Sequence, residues 1–319
     1  SKRIDNNFNV LDSIKAESSE LAQIGGRIDD LNEVVSDHLS SSFKLYSANL
    51  SQTVEHGAFN LFVFPKNFTI LIDCGYTGQE GEIRAFLDAK GITKLNVVVV
   101  THFDEDHSGC FDFIARNYCD GNTLFFRSME YDWTKLSGES ITTQQQEETY
   151  KNTLQDLGYA NNSRIPMQNE VVTLNNGMIK LRFLNTDVNF AQSYYNAQSE
   201  TNHNNYMKST GNNFSLICEV NAFGKKVLMS GDIEQQAQKN NASFIEQCDI
   251  MQVPHHNWNH NGYYKFFDNA YPSIAFYNRN NELKDSFVYW SKYQRQCRGY
   301  VPTYYTFGQH VEIDVSKHG

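Results

Sequence analysis

One stretch constrains this chain more than any other. Leu95-Asn96-Val97-Val98-Val99-Val100 is a short, β-branched apolar run, followed at once by Thr101-His102-Phe103-Asp104-Glu105-Asp106-His107. A valine run with so little polar alternation suits a strand covered on both faces, because neither side can meet water. Covering both faces takes helices or a second sheet, so the chain reads as a layered α/β protein. The segment after the strand then places two imidazoles and three carboxylates within six positions. Acids packed that tightly repel one another unless a cation neutralises them. The C-terminal ends of strands are also where α/β folds set their sites.

The flanking pattern extends this reading. Residues 59–64 and 69–73 are strand-like and separated by Pro65-Lys66-Asn67, a hairpin signal. Residues 82–90 read as a helix closed by Gly91. A second helix is expected over 139–158, with Glu147, Tyr150, Leu154 and Leu157 spaced for one face. Strands recur around 171–174, 179–184 and 214–220. Two more buried strands, 226–229 and 250–253, end in Ser230-Gly231-Asp232 and in Pro254-His255-His256. Three strand ends therefore carry metal-type ligands: His102, Asp104, Asp106 and His107; Asp232; His255 and His256. The polar stretch 185–213 is long for a connection, and reads either as a lid or as a surface excursion.

Composition narrows the class. At 319 residues, with 40% hydrophobic and 20% charged residues, the chain can bury a large core. The formal net charge of -10 argues against broad affinity for a nucleic-acid backbone. Six cysteines lie scattered with no C-x-x-C pair, so they read as buried apolar residues rather than a zinc ribbon or redox motif. No stretch approaches the roughly 20 apolar residues that cross a bilayer, and a cytoplasmic location is the expectation.

Residues 1–42 differ from the rest. Val10, Ile24 and Leu31 fall on one heptad row and Ile14, Leu21, Ile28 and Val35 on the other, with Glu17 at a seam position. Gly25-Gly26 is expected to interrupt the helix. Two readings stand: a coiled coil for self-association or partner attachment through residues 10–39, and an amphipathic helix packed on the main domain, residues 43–319.

The motifs resemble a known family. His102-Phe103-Asp104-Glu105-Asp106-His107 is similar to the H-x-H-x-D-H signature of the metallo-β-lactamase superfamily, with Asp104 in place of the second histidine. That variant, H-x-D-x-D-H-x-G, resembles the hydrolase domain of the competence protein ComEC. Leu71-Ile72-Asp73-Cys74-Gly75, Asn212-Asn213-Phe214-Ser215-Leu216-Ile217, Leu228-Met229-Ser230-Gly231-Asp232 and Val253-Pro254-His255-His256 resemble further motifs of that subgroup, in order. Asn257-Trp258 stands where the subgroup has Gly-Ser, and the tail beyond Asn278 lacks its usual pattern.

The resemblance implies a four-layer αββα metallo-β-lactamase fold with an N-terminal helical extension. It also implies a hydrolase using two divalent ions, Zn or Mn. By resemblance, His102 and Asp104 belong to a first ion, Asp106 and His107 to a second, and Asp232 to both. His255 is favoured over His256 to complete the second position. Asn212 occupies the place of a third histidine, and His203 is a candidate substitute. Asp73 orients the His102 loop by hydrogen bonds, and Asp104 and Asp106 are the acids for proton transfer. His56 and His260 read as pocket or surface residues. The resemblance points to phosphodiester hydrolysis, with a small or single-stranded substrate and nuclease activity in view. Ester, lactone or thioester hydrolysis is the enzymatic alternative. A metal-binding scaffold assembled through the N-terminal helix is the non-catalytic one.

Overall fold

The computed structural model describes residues 15, 18–28, 42–50, 57–130, 141–187, 210–257, 262–279, 289–294, 299–306 and 310–315. The chain divides into two units, Ser1–Ser41 and Ser42–Gly319.

In the first unit residues 18–28 are helical. The helix runs through Gly25-Gly26, contrary to the expected break. Glycine lowers helix propensity by about 1 kcal/mol but raises no steric block, so neighbouring residues can carry the helix across it. Leu21, Ile24 and Ile28 are 67%, 51% and 50% exposed within this unit. Val10, Ile14, Glu17, Leu31 and Val35 lie outside the described residues.

The second unit is built on two sheets. β1 (Lys44–Ala48), β2 (Phe59–Val63), β3 (Thr69–Cys74), β4 (Val97–Val100), β5 (Leu124–Arg127) and β6 (Ser163–Arg164) form most of the first. β7 (Val171–Leu174), β8 (Ile179–Leu184), β9 (Ile217–Ala222), β10 (Lys225–Met229), β11 (Ile250–Gln252), β12 (Ile274–Tyr277) and β13 (Thr303–Tyr305) form the second. β14 (His310–Asp314) returns to the first sheet beside β1. β3, β4 and β5 run parallel, as do β10, β11 and β12, so each sheet presents a set of C-terminal strand ends.

Side-chain alternation sets the layers. On β3 and β4, Ile70, Ile72, Val97 and Val99 point into the space between the sheets. There they join Leu181, Phe183, Cys218, Val220, Val227, Met229 and Phe276 from the second sheet. Leu71, Val98 and Val100 point the other way, onto the helices Glu80–Ala89, Phe111–Tyr118 and Ile141–Asp156 through Ile83, Leu87, Phe111, Ile114, Tyr150 and Leu154. Leu228, Met251 and Ala275 face Ala237, Phe267 and Trp290 on the opposite side of the second sheet. Helix, sheet, sheet, helix is the expected αββα arrangement, and the valine strand is covered on both faces because a period of two sends alternate residues into different cores. Fully burying each such valine contributes on the order of 1.5–3 kcal/mol.

Most element bounds fall near their expected places. The strand expected over 214–220 begins at Ile217, since Phe214 and Ser215 close a turn with backbone bonds to Gly211 and Asn212. The helix expected over 82–90 starts two residues earlier, at Glu80. The cysteines at 74, 110, 119, 218 and 248 are free, and Cys297 lies outside the described residues. No helix among the described residues is long and apolar enough to cross a membrane.

Candidate metal centre

The strand ends deliver their side chains to one place. β3 carries Asp73 next to its last residue, Cys74, β4 runs into Thr101 and His102, and a four-residue helix, Glu105–Ser108, follows with Asp106 and His107. From the second sheet, β10 leads into Asp232, β11 into the tight turn His255–Asn257, and β12 into Asn278.

Two glycines allow the close approach. A Cβ at Gly231 (φ +53°) would sit 2.9 Å from Ser215 Cβ and 3.0 Å from Thr101 Cβ. The two sheets therefore meet at the site only because that position has no side chain. A Cβ at Gly109 would lie 2.2 Å from the backbone nitrogen of Thr77, so the loop 104–109 presses against the end of β3 for the same reason. Cost is also stored here. His255, His256 and Asn257 all have left-handed backbones (φ 53°, 47° and 60°), a conformation costing roughly 1–2 kcal/mol per residue without glycine.

Asp73 is fully buried and takes three hydrogen bonds: from Thr101 N at 2.8 Å, from Thr101 Oγ1 at 2.9 Å, and from His107 Nδ1 at 2.8 Å. A carboxylate can only accept, so His107 carries its proton on Nδ1 and turns the lone pair of Nε2 inward. His256 is set the same way, because its Nδ1 lies 2.7 Å from the backbone oxygen of Asn278. The two Nε2 atoms face each other at 3.0 Å. Around them stand Asp106 Oδ2, 3.0 Å from His256 Nε2 and 3.6 Å from His107 Nε2, and Asp232 Oδ1, 3.1 Å from His107 Nε2. The second Asp232 oxygen is 3.5 Å from His256 Nε2.

Two imidazole lone pairs 3.0 Å apart, flanked by two carboxylates, repel unless a positive charge lies among them. The ligand atoms of Asp106, His107, Asp232 and His256 all lie within 4.8 Å of one another. Donor separations of 3.0–3.6 Å bracket the roughly 3.4 Å edge of a tetrahedron with zinc-like bonds near 2.1 Å. The donor set fits a divalent ion.

The electrostatics agree. Burial disfavours charge on His107, but the carboxylates of Asp232, Asp73 and Asp106 outweigh it and hold its pKa well above the ordinary imidazole value. For His256, burial again opposes, and Asp232 and Asp106 prevail to raise it. Burial pushes Asp106 and Asp232 up, while the facing imidazoles of His107 and His256 overcome it and hold both acids below the usual carboxylate range. The site is built to hold positive charge, and protons take that role when no cation does.

A second, more open group adjoins the first. His102 is fully buried, and its Nε2 has no hydrogen-bond partner; it lies 3.6 Å from Asp104 Oδ2 and 4.0 Å from Asp232 Oδ2. His255 Nε2 lies 3.8 Å from the same Asp232 oxygen and 3.4 Å from Asn212 Nδ2. His255 Nδ1 faces Glu234 Oε1 at 3.6 Å.

The sequence-named residues His102, Asp104, Asp106, His107, Asp232, His255, His256, Asn212 and Asp73 thus meet in one region. The expected preference for His255 in the second position is reversed: the ring that reaches Asp106 and His107 is that of His256. The left-handed turn holds the two neighbouring ring centroids 6.5 Å apart, and only the His256 ring comes within 3.0 Å of Asp106 and His107. His203, His56 and His260 lie outside the described residues. Three contributors escaped the sequence reading. Thr143 donates to Asp104 Oδ1 at 2.8 Å, Asn278 supplies the backbone oxygen for His256, and Glu234 faces His255. A backbone carbonyl leaves no mark in a sequence, and a threonine on a polar helix carries no distinguishing signal.

Residues 56–118 match the family model described as the Metallo-beta-lactamase superfamily. Among solved structures, a CmlA beta-hydroxylase variant is 12% identical with TM-score 0.51, over 85% of this chain and 54% of that one. The metallo-beta-lactamase fold protein YhfI from Bacillus subtilis is 11% identical with TM-score 0.49, over 86% of this chain and 99% of its own. A diphosphatase from the PhnP family is 10% identical with TM-score 0.43, over 86% and 97%. The sequence finds no match among curated proteins. With its αββα layers and the histidine–aspartate cluster at the strand ends, this chain has the metallo-β-lactamase fold, and over residues 56–118 its sequence is similar to the metallo-β-lactamase superfamily.

Proposed function

We propose that this protein is a metal-dependent phosphodiesterase of the ComEC-like type. The observation that carries the metal requirement is the facing pair of His107 and His256 Nε2 atoms at 3.0 Å, between Asp106 and Asp232. Asp106, His107 and His256 would hold one ion, His102 and Asp104 a second, and Asp232 has an oxygen toward each group. Bound divalent ions supply an acidified water and stabilise charge that develops on the electrophile. The protein's own part is to fix the donors. Asp73 and the Asn278 carbonyl set the two imidazole tautomers, and the sheet ends exclude solvent from behind them. Asp104, with its side chain 32% exposed, is the donor open to solvent on the substrate side.

Phosphodiester chemistry is favoured by the H-x-D-x-D-H run and its companion motifs. The net charge of -10 favours a small or single-stranded substrate over a duplex. The test is a panel in which Zn- or Mn-loaded protein meets a chromogenic bis-phosphodiester and a chromogenic carboxylic ester. Metal-dependent release from the phosphodiester is expected. It should fall on the order of a thousandfold in Asp106→Ala and Asp232→Ala, with circular dichroism unchanged. Preferential ester cleavage would replace this reading with the esterase one. Less than one ion per chain, with neither substrate cleaved, would leave a non-catalytic scaffold.

A further inference from the structure

The two cation positions are built unequally. The first draws on four donors whose ligand atoms lie within 4.8 Å of one another. The second rests on His102, Asp104 and the far oxygen of Asp232, at 3.6 and 4.0 Å from His102 Nε2. That nitrogen is buried and makes no hydrogen bond, so it is available to a cation and to little else.

Asp104 is the least enclosed of these donors. Its Oδ1 accepts from Thr143 Oγ1 at 2.8 Å, while Oδ2 faces His102. Thr143 stands in the first turn of the helix Ile141–Asp156, which Tyr150 and Leu154 anchor in the core beside Phe111. The hydroxyl therefore comes from a fixed element. On the other side, Gly211 brings its backbone so near that an added Cβ would lie 3.3 Å from the same Oδ1. One carboxylate oxygen is thus occupied and hemmed in, and the other is left to turn toward His102.

We infer that Thr143 is a positioning residue for the second, weaker cation position, holding Asp104 as a one-oxygen donor beside His102. The inference rests on the proposed metal-dependent function and concerns a contact outside the motifs that suggested it. Losing the hydrogen-bond partner of a ligand typically lowers metal affinity about 10- to 100-fold, and the effect should fall on one position only. Thr143→Val keeps the shape and removes the donor; Thr143→Ser keeps the donor.

The experiment titrates the metal-free full chain with Zn²⁺ or Mn²⁺ by calorimetry and by elemental analysis after dialysis, alongside circular dichroism. The wild type is expected to bind in two steps of different affinity. Thr143→Val should weaken the second step about 10-fold and leave the first in place, and Thr143→Ser should restore it. If wild type shows two steps and Thr143→Val leaves both unchanged, or weakens both alike, the positioning role is wrong while the metal reading stands. A single step in the wild type would also overturn it. If the wild type binds no ion at all, the functional reading itself fails, and this inference with it.

Discussion

The imidazoles of the tighter and the more open group around Asp232 are not all held alike. His107 and His256 each give Nδ1 to a group that can only accept: the buried carboxylate of Asp73 at 2.8 Å and the backbone oxygen of Asn278 at 2.7 Å. His102 Nδ1 faces, at 3.2 Å, the hydroxyl of Thr101, whose single proton goes to Asp73, whereas His255 Nδ1 is 3.6 Å from Glu234. An acceptor-only partner within hydrogen-bond distance settles which ring nitrogen carries the proton before any ligand arrives; a carboxylate 3.6 Å away holds its ring more loosely. His107, His256 and His102 are preorganised in this way, and His255 is the ring left to adjust. Asn278 extends the tighter group further, since its Nδ2 bonds Ser47 Oγ at 2.8 Å and Ala48 O at 3.1 Å, tying the second sheet to β1 of the first.

The comparison is broken most directly by removing one ring from each group. His256→Ala should weaken the tighter ion by more than the roughly 100-fold that losing a ligand's own partner can cost. His255→Ala should leave that ion in place and act on the weaker step. Equal losses in a two-step metal titration would mean the groups do not differ.

Asp73→Ala comes next. It leaves His107 without its anchor and the buried N–H of Thr101 without an acceptor. Metal affinity should fall about 10- to 100-fold, and chemical denaturation of the metal-free protein should show a loss of about 1–3 kcal/mol. Affinity unchanged with stability lowered would show that Asp73 serves the fold alone.

The smallest effect is a proton count. The raised pKa values of His107 and His256 mean that a cation must displace protons at neutral pH. Apparent affinity should therefore climb with pH through the raised range and level off above it. Calorimetry in buffers of differing ionisation enthalpy should show net proton release. The sign for folding is the reverse. A folded-state pKa above the unfolded value of about 6.5 gives stability that is fully present below that value and lost as pH rises through the folded pKa. The midpoint of thermal unfolding of metal-free protein should drop from neutral to alkaline pH, whereas the loaded protein should change less.

Much of the molecule is legible in the order of its residues. The valine strand, the helix carrying Tyr150 and Leu154, and the strands leading to Asp232 and to the paired histidines all announce themselves through period and punctuation. Periodicity works there because burial on a strand or helix face is a local property of the backbone. It fails where geometry is set by a turn or a distant partner. Gly25-Gly26 reads as a break, yet the helix continues through it. His255 and His256 are neighbours, and nothing in their spacing says which faces Asp106.

The sequence alone determined the layered class and the strand ends that carry the acids and imidazoles, because residue type and spacing suffice for these. Only the tertiary structure decided that His256 rather than His255 joins His107, that the Asn278 backbone sets its tautomer, and that Thr143 reaches Asp104. Those contacts join residues 22 to 149 positions apart. Their geometry depends on how two sheets and a left-handed turn pack together, which no local pattern encodes.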